Sequence, residues 1–338
     1  MPIPSGALLR CPSCNGDPEG GEPAVPAPAA QADACSGCGR GTPWFGEVRD
    51  FLEASERTDG FEKVNAFYEA RPFPGYAPGE TAGSLMDRCR ASPFMNALDR
   101  AIPPDARILD CGCGTGQIPN FLALAGPRRS VIGVDGCRAS LTLADDFRRK
   151  VSIRNLRYLR GDLFSLPVAE ASFDVVISRG VVHHTPDPYR ATAEVARRVR
   201  PGGVLVLAFY ESVGRAFHRL RQRLSRVFDE PPRALDPVLR RRDLDPEKKR
   251  TWVADQYEHP LEHCLPFPRV AREVEALGFR WIRSMPPAAA VGEMFEATDQ
   301  PGALRMGLRR FGWMMAGIRD QDAGMACLVA RRMRSASS

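Results

Sequence analysis

The chain has 338 residues, 43% apolar and 26% charged, the balance of an ordinary folded protein with a sizeable core. Its 47 Lys and Arg exceed its 41 Asp and Glu only to a net +6, too little for nucleic-acid binding to follow from charge alone. No stretch approaches roughly 18 consecutive apolar residues and no basic segment followed by an apolar one opens the chain, so the expectation is a cytoplasmic protein with neither signal peptide nor membrane partner.

The first feature in chain order is a cysteine pattern. Of ten cysteines, four stand as CPSC at 11–14 and CSGC at 35–38. Two C-x2-C pairs at this separation suit two knuckles whose thiolates, Cys11, Cys14, Cys35 and Cys38, surround one structural zinc ion. The Pro-, Ala- and Gly-rich stretch between them reads as a solvent loop. The other six, Cys89, Cys111, Cys113, Cys137, Cys264 and Cys327, lack ligand spacing and read as small apolar residues.

Residues 58–101 follow with two helical patterns. In the first, Phe61, Val64, Phe67 and Tyr68 recur at helical spacing until RPFPGY breaks the helix. Tyr68 and Arg71 carry polar ends beside that break.

From 107 onward apolar runs alternate with helical periodicity, which predicts a parallel sheet with crossover helices. RILDCGCGTG (107–116) is a strand ending on Asp110 and opening into Gly112, Gly114 and Gly116. Such a loop lets a ligand approach backbone closely, and the helix from Gln117 to Ala125 points free N–H groups at the same space. A dinucleotide fingerprint would need a glycine at 117, where Gln117 stands, so that reading fails. Further strands are read in VIGVD (131–135), before RGDLFSLP (160–167), in FDVVISRG (173–180) and in RPGGVLVLAFY (200–210).

Residues 211–268 interrupt this rhythm. Val213, Phe217, Leu220, Leu224 and Phe228 predict an amphipathic helix with arginines opposite, and the segment from Arg215 to Arg250 holds twelve Lys or Arg against six Asp or Glu. A helix over 270–279, a strand at FRWIRSM and a last strand at GMACLVARR complete the chain. Between those strands Leu304, Leu308, Phe311, Met315 and Ile318 fall on one helical face, read as core packing.

The glycine loop and the ordered strand ends resemble class I S-adenosylmethionine-dependent methyltransferases, closely over about 100–210. The cysteine pattern with its flanks resembles the small zinc-ribbon activator subunit of certain methyltransferases, here in cis and with a stabilising part implied. Together they imply an α/β, Rossmann-like seven-stranded sheet with flanking helices plus a small zinc ribbon. The expected organisation is a ribbon over 1–55, a helical lid over 56–104, and a methyltransferase domain over 105–338 with a helical basic insertion at about 211–268.

The resemblance also implies the cofactor contacts. The glycine loop and Asp110 would take the methionine end, Asp135 with Gly136 the ribose hydroxyls, and Asp162 with Leu163 the adenine, with Ser178 nearby. Past the fourth strand, His184 or His183 is the expected base, since an imidazole titrates near neutrality. Tyr68, Arg71, Arg179, Tyr257, His259 and His263 are the expected acceptor contacts.

SRGV at 178–181 departs from the Asn- or Asp-Pro-Pro-aromatic motif of enzymes that grip a flipped base, which favours a small organic acceptor. An rRNA or tRNA methyltransferase gripping phosphate with the ribbon and the basic insertion stays open, as does a cofactor-binding scaffold without turnover.

Overall fold

The computed structural model describes residues 8–18, 34–52, 59–77, 79–241, 246–286, 293–296, 300–318 and 324–334. The expected loop between the knuckles and the expected boundary at 55/56 lie largely or wholly outside them.

The parallel heart of the sheet is β3 (Arg107–Cys111), β4 (Ser130–Asp135), β5 (Leu156–Arg160), β6 (Phe173–Arg179) and β7 (Val199–Tyr210). These strands are buried on both faces because successive side chains enter different cores: Ile108 packs with the cluster on one face and Leu109 with that on the other. Helices α2 (Ala82–Ala91), α3 (Pro93–Ala101), α4 (Gln117–Ala125) and α5 (Arg138–Lys150) cover one face, and α6 (Pro188–Arg197) and α9 (Phe267–Ala276) the other. Local chemistry sets the boundaries. Asp187 Oδ1 accepts from the N–H groups of Tyr189 and Arg190 at 3.2 and 3.0 Å, and Pro188 takes the first helical position, so α6 starts there.

Among the described residues the sheet has nine strands in the order β1-β2-β5-β4-β3-β6-β7-β9-β8. β9 (Met325–Arg332) lies antiparallel between β7 and β8 (Phe279–Met285), which completes the expected seven. Two more come from the cysteine-bearing segment, where the β1 (Trp44–Phe45) and β2 (Val48–Asp50) hairpin adds β2 parallel to β5. Upstream of the first knuckle, Ala169 N donates to Leu8 O at 2.8 Å and Arg10 N to Pro167 O at 3.1 Å. The cysteine-bearing segment therefore pairs with β5 through β2 and with residues 167–169 through Leu8 and Arg10.

Two helices differ from expectation. α7 (Ala216–Phe228) buries His218 and Arg221 while Leu220 and Phe228 are exposed. Its inner face meets α8 (Pro246–Tyr257) through polar groups: His218 Nε2 lies 3.0 Å from Gln256 O, and Gln222 Nε2 donates to the same carbonyl at 2.9 Å. In α10 (Ala303–Ala316) the core face is Met306 and Trp313, the latter against Phe267, so the expected apolar stripe points outward.

Candidate cofactor and acceptor site

The chemistry-bearing residues gather beyond the C-terminal ends of β3 to β7, where open α/β sheets bind ligands. Gly112, Gly114 and Gly116 all have positive φ, at 75°, 52° and 77°. At Gly112 and Gly116 the space of a Cβ belongs to protein, since it would fall 2.4 Å from Val181 and 2.2 Å from the Tyr158 hydroxyl. There glycine serves backbone shape, as its positive φ requires, and packing as well.

Asp135 closes β4 with both oxygens anchored: Gly114 N donates to Oδ2 at 2.7 Å and Cys137 N to Oδ1 at 2.8 Å. Each oxygen keeps a further lone pair for a ligand hydroxyl. Asp162, after β5, accepts from Phe164 N through Oδ1 at 3.1 Å. Its Oδ2, the Oδ2 of Asp110 and the hydroxyl of Ser178 are buried with no partner, an arrangement proteins avoid unless a ligand supplies one. Burial pushes the Asp110 carboxyl up to about 8, with Asp135 adding to the rise and Arg179 opposing it. Burial likewise raises Asp135, against the N–H groups that favour its charged form, and raises Asp162.

α1 (Asp59–Ala70) lies across this crevice. Phe61 covers Gly136, where a Cβ would fall 2.7 Å from its ring, and the buried Asn65 Oδ1 beside it has no partner. Glu69 caps α5 by accepting from Arg138 N and Ala139 N at 2.5 and 3.0 Å. The RPFPGY break then reaches the glycine loop, with Tyr76 donating to Thr115 O at 2.8 Å. Arg160, at the end of β5, ties three parts together: it donates to Gly136 O at 2.8 Å, pairs with Asp50 of β2 at 2.9 Å, and lies 3.6 Å from Glu69. None of Phe61, Asn65, Glu69 or Arg160 was foreseen as a site residue; capping of a neighbouring helix by Glu69 has no signal in local sequence.

On the other flank of α1, Tyr68 donates to Asp255 of α8 at 3.3 Å and Arg71 pairs with Glu258 at 2.9 Å. Burial raises Tyr68 well above the usual phenol range, and negative Asp255 and Asp135 both add to the rise. Its hydroxyl ties α1 to α8.

Under that roof lies a second cluster. The ring of His183 is 3.9 Å from Tyr210 and 4.2 Å from His184, and His184 is 3.8 Å from His259. His184 Nδ1 meets Leu261 O at 2.8 Å; both nitrogens of His183, and Nε2 of His259 and His263, are buried without partners. Burial lowers His183 well below the imidazole range. Burial, with Arg215 adding repulsion and the Leu261 carbonyl opposing, brings His184 down to about 4, while burial and His184 bring His259 down to about 3. All three are neutral at pH 7.

The floor of this cluster is a network that sequence did not single out. Gln256 donates to Tyr210 Oη at 2.8 Å and to Asp255 at 2.6 Å, and accepts from Arg215 at 2.7 Å. Arg215 also pairs with Glu262 at 2.9 Å and stacks 3.5 Å over the Tyr210 ring. Tyr257 lies apart, donating to Asp236 at 2.7 Å. Arg179 stands at the end of β6 over the Phe94 ring, 5.2 Å from its centroid.

The four N-terminal cysteines converge. Cys11 and Cys38 sulfurs are 3.7 Å apart, Cys14 and Cys35 3.8 Å, and all four ligand atoms lie within 4.8 Å of one another. The edge of a tetrahedron with Zn–S of about 2.3 Å is about 3.8 Å, so the four thiols fit that ion.

A parallel sheet with an antiparallel strand between its last two members, a glycine loop after its first parallel core strand, and acids after the next two define a class I methyltransferase fold. Residues 109–207 match the model of the methyltransferase domain. An uncharacterised Synechococcus protein is 26% identical over 251 residues, 65% of this chain and 59% of that one. Deinococcus radiodurans trans-aconitate 2-methyltransferase is 34% identical over 134 residues, 39% of this chain and 49% of that enzyme. The chain thus spans about half to three-fifths of the curated relatives it matches. A solved complex between the Haloferax volcanii Trm112 methyltransferase activator and a methyltransferase contains a chain similar at 17% identity and TM-score 0.47, covering 83% of this chain and 100% of that one.

Proposed function

We propose that the protein transfers the methyl group of S-adenosylmethionine to a small organic acceptor. The observation that carries the cofactor half is the set of buried, unpartnered acceptors on Asp110 and Asp162, with the anchored carboxylate of Asp135 between them. They match a ligand with an ammonium, an adenine amino group and a ribose diol. When bound, the cofactor supplies a methyl group already activated by a sulfonium. The residues of the chain then bind, orient and exclude water. Asp110 and the glycine loop hold the methionine end, Asp135 the ribose and Asp162 the adenine. Phe61 and Asn65 close over them from α1.

The acceptor half rests on enclosure. The histidine cluster is roofed by α7 and α8 and shut by Tyr68–Asp255 and Arg71–Glu258. Arg215 and Arg221, counted in sequence towards a phosphate-gripping surface, are buried inside the roof. Both features favour a small molecule over a folded RNA. His183 and His184, held neutral, act as hydrogen-bond acceptors that orient an O–H or N–H of the acceptor. Tyr68 lines the boundary with the cofactor.

Labelled S-adenosylmethionine offered in parallel to small-molecule extract, RNA and protein checks this reading. Label is expected in the small-molecule fraction, and label confined to RNA would overturn the acceptor class. The four cysteines are proposed to hold one zinc ion; metal analysis should give about one zinc per chain, and none in a Cys14→Ser, Cys38→Ser variant.

A further inference from the structure

We propose that the outward face of α10, with the exposed arginines of the neighbouring α7 assisting, docks on an anionic lipid bilayer, with the protein lying on the surface. In α10, Leu304, Leu308 and Phe311 are 79%, 64% and 54% exposed at i, i+4, i+7 spacing, and Met315 and Ile318 continue the stripe. A row of large apolar side chains in water marks an interaction surface. Neither α10 nor α7 contains an Asp or Glu, and Arg309, Arg219, Arg223 and Arg226 are exposed on them. On α7, Val227 and Phe228 are exposed as well.

The two helices meet at one end. Arg310 of α10 donates to Glu211 at 2.8 Å, just before α7, and a Cβ on Gly317 would lie 3.4 Å from the Gly214 carbonyl. Met315 and Ile318 therefore stand near the start of α7.

Charge selects the occupant. A second copy docking by two-fold symmetry would set arginines against arginines on acid-free helices. A nucleic acid would satisfy the arginines and leave the leucines and Phe311 wet. A surface of anionic headgroups over acyl chains takes both, as interfacial amphipathic helices do. Among the described residues no helix is long and apolar enough to cross a membrane, so the contact is peripheral.

The full-length protein is tested by flotation with vesicles of phosphatidylcholine alone and of phosphatidylcholine mixed with phosphatidylglycerol. Binding is expected to the anionic vesicles, weakening with salt, and not to the neutral ones. Leu308→Asp with Phe311→Asp should weaken it about tenfold or more. Because both side chains are exposed, the melting temperature should not move, which separates lost docking from lost fold. Absence of vesicle binding, or equal binding by the double variant, would overturn the proposal. So would a dimer in sedimentation that the same substitutions dissolve.

Discussion

The proposed cofactor crevice and the proposed acceptor chamber around the histidines both lie against α1, yet they are built differently. In the crevice, Asp110, Asp135 and Asp162 each stand at or just past a strand end, so the sheet alone sets their spacing. In the chamber, Tyr210, Arg215, Asp255, Gln256 and three histidines come from strand ends, loops and two roof helices, held by side-chain bonds. The crevice presents unpartnered carboxylate oxygens suited to a ligand with amine and hydroxyl groups. The chamber presents neutral imidazoles. On the proposed reading, a general cofactor is held by a fixed frame, and the acceptor by a roof that can be rebuilt without disturbing the sheet.

The sharpest break of this contrast is Asp135→Ala. It removes the proposed partner of the ribose diol and the anchor of Gly114, so cofactor affinity should fall by about a hundredfold, on the order of 3 kcal/mol. His184→Gln should leave that affinity unchanged by calorimetry while turnover falls. If both variants lose cofactor equally, the two halves are one site and the contrast collapses.

A smaller effect follows from Asp110. Its carboxyl, pushed up to about 8 chiefly by burial, is largely protonated in the free protein at pH 7. A cationic ligand group favours its ionised form, so binding releases a proton, and affinity should rise with pH by up to about tenfold per unit until pH passes about 8, then level. The sign for the free fold is opposite. Unfolded, the group ionises near the usual carboxylate range, so the native state binds more protons and stability falls as pH rises through that window. Isothermal titration in buffers of different ionisation heat reads the proton directly, and Asp110→Asn should abolish its release.

The crevice was legible because its residues follow apolar runs that only a buried parallel sheet explains, and because the acids fall where those runs stop. The chamber was half legible. His183, His184, His259 and His263 stood out by type, but Asp255 and Gln256 are ordinary helix residues until Tyr68, 187 positions away from Asp255, and Arg215, 41 away from Gln256, are folded against them. The outer helices misled for a different reason. Periodicity in α10 defines two apolar faces, Met306 with Trp313 and the stripe from Leu304 to Ile318, and does not say which meets the sheet. The bulk of Trp313 fills the space beside Phe267, and the larger stripe is left outside. In α7 the apolar face lost to His218 and Arg221 because its neighbour α8 offers Gln256 rather than hydrocarbon.

The finest test of the division lies within α8, whose two tyrosine contacts point to different sides. Tyr68 reaches α8 at Asp255, beside the histidine cluster, while Tyr257 on α8 itself reaches Asp236, apart from that cluster. Tyr68→Phe leaves a buried carboxyl short of a donor at the boundary with the cofactor, and kcat/KM should fall about tenfold. Tyr257→Phe removes one hydrogen bond from the outer packing, costing about 1 kcal/mol of stability by denaturant titration, with kcat/KM within about twofold of wild type. A larger catalytic loss at Tyr257 than at Tyr68 would place the acceptor beside Tyr257, in keeping with its expectation from sequence as an acceptor contact, and would move the proposed chamber outward.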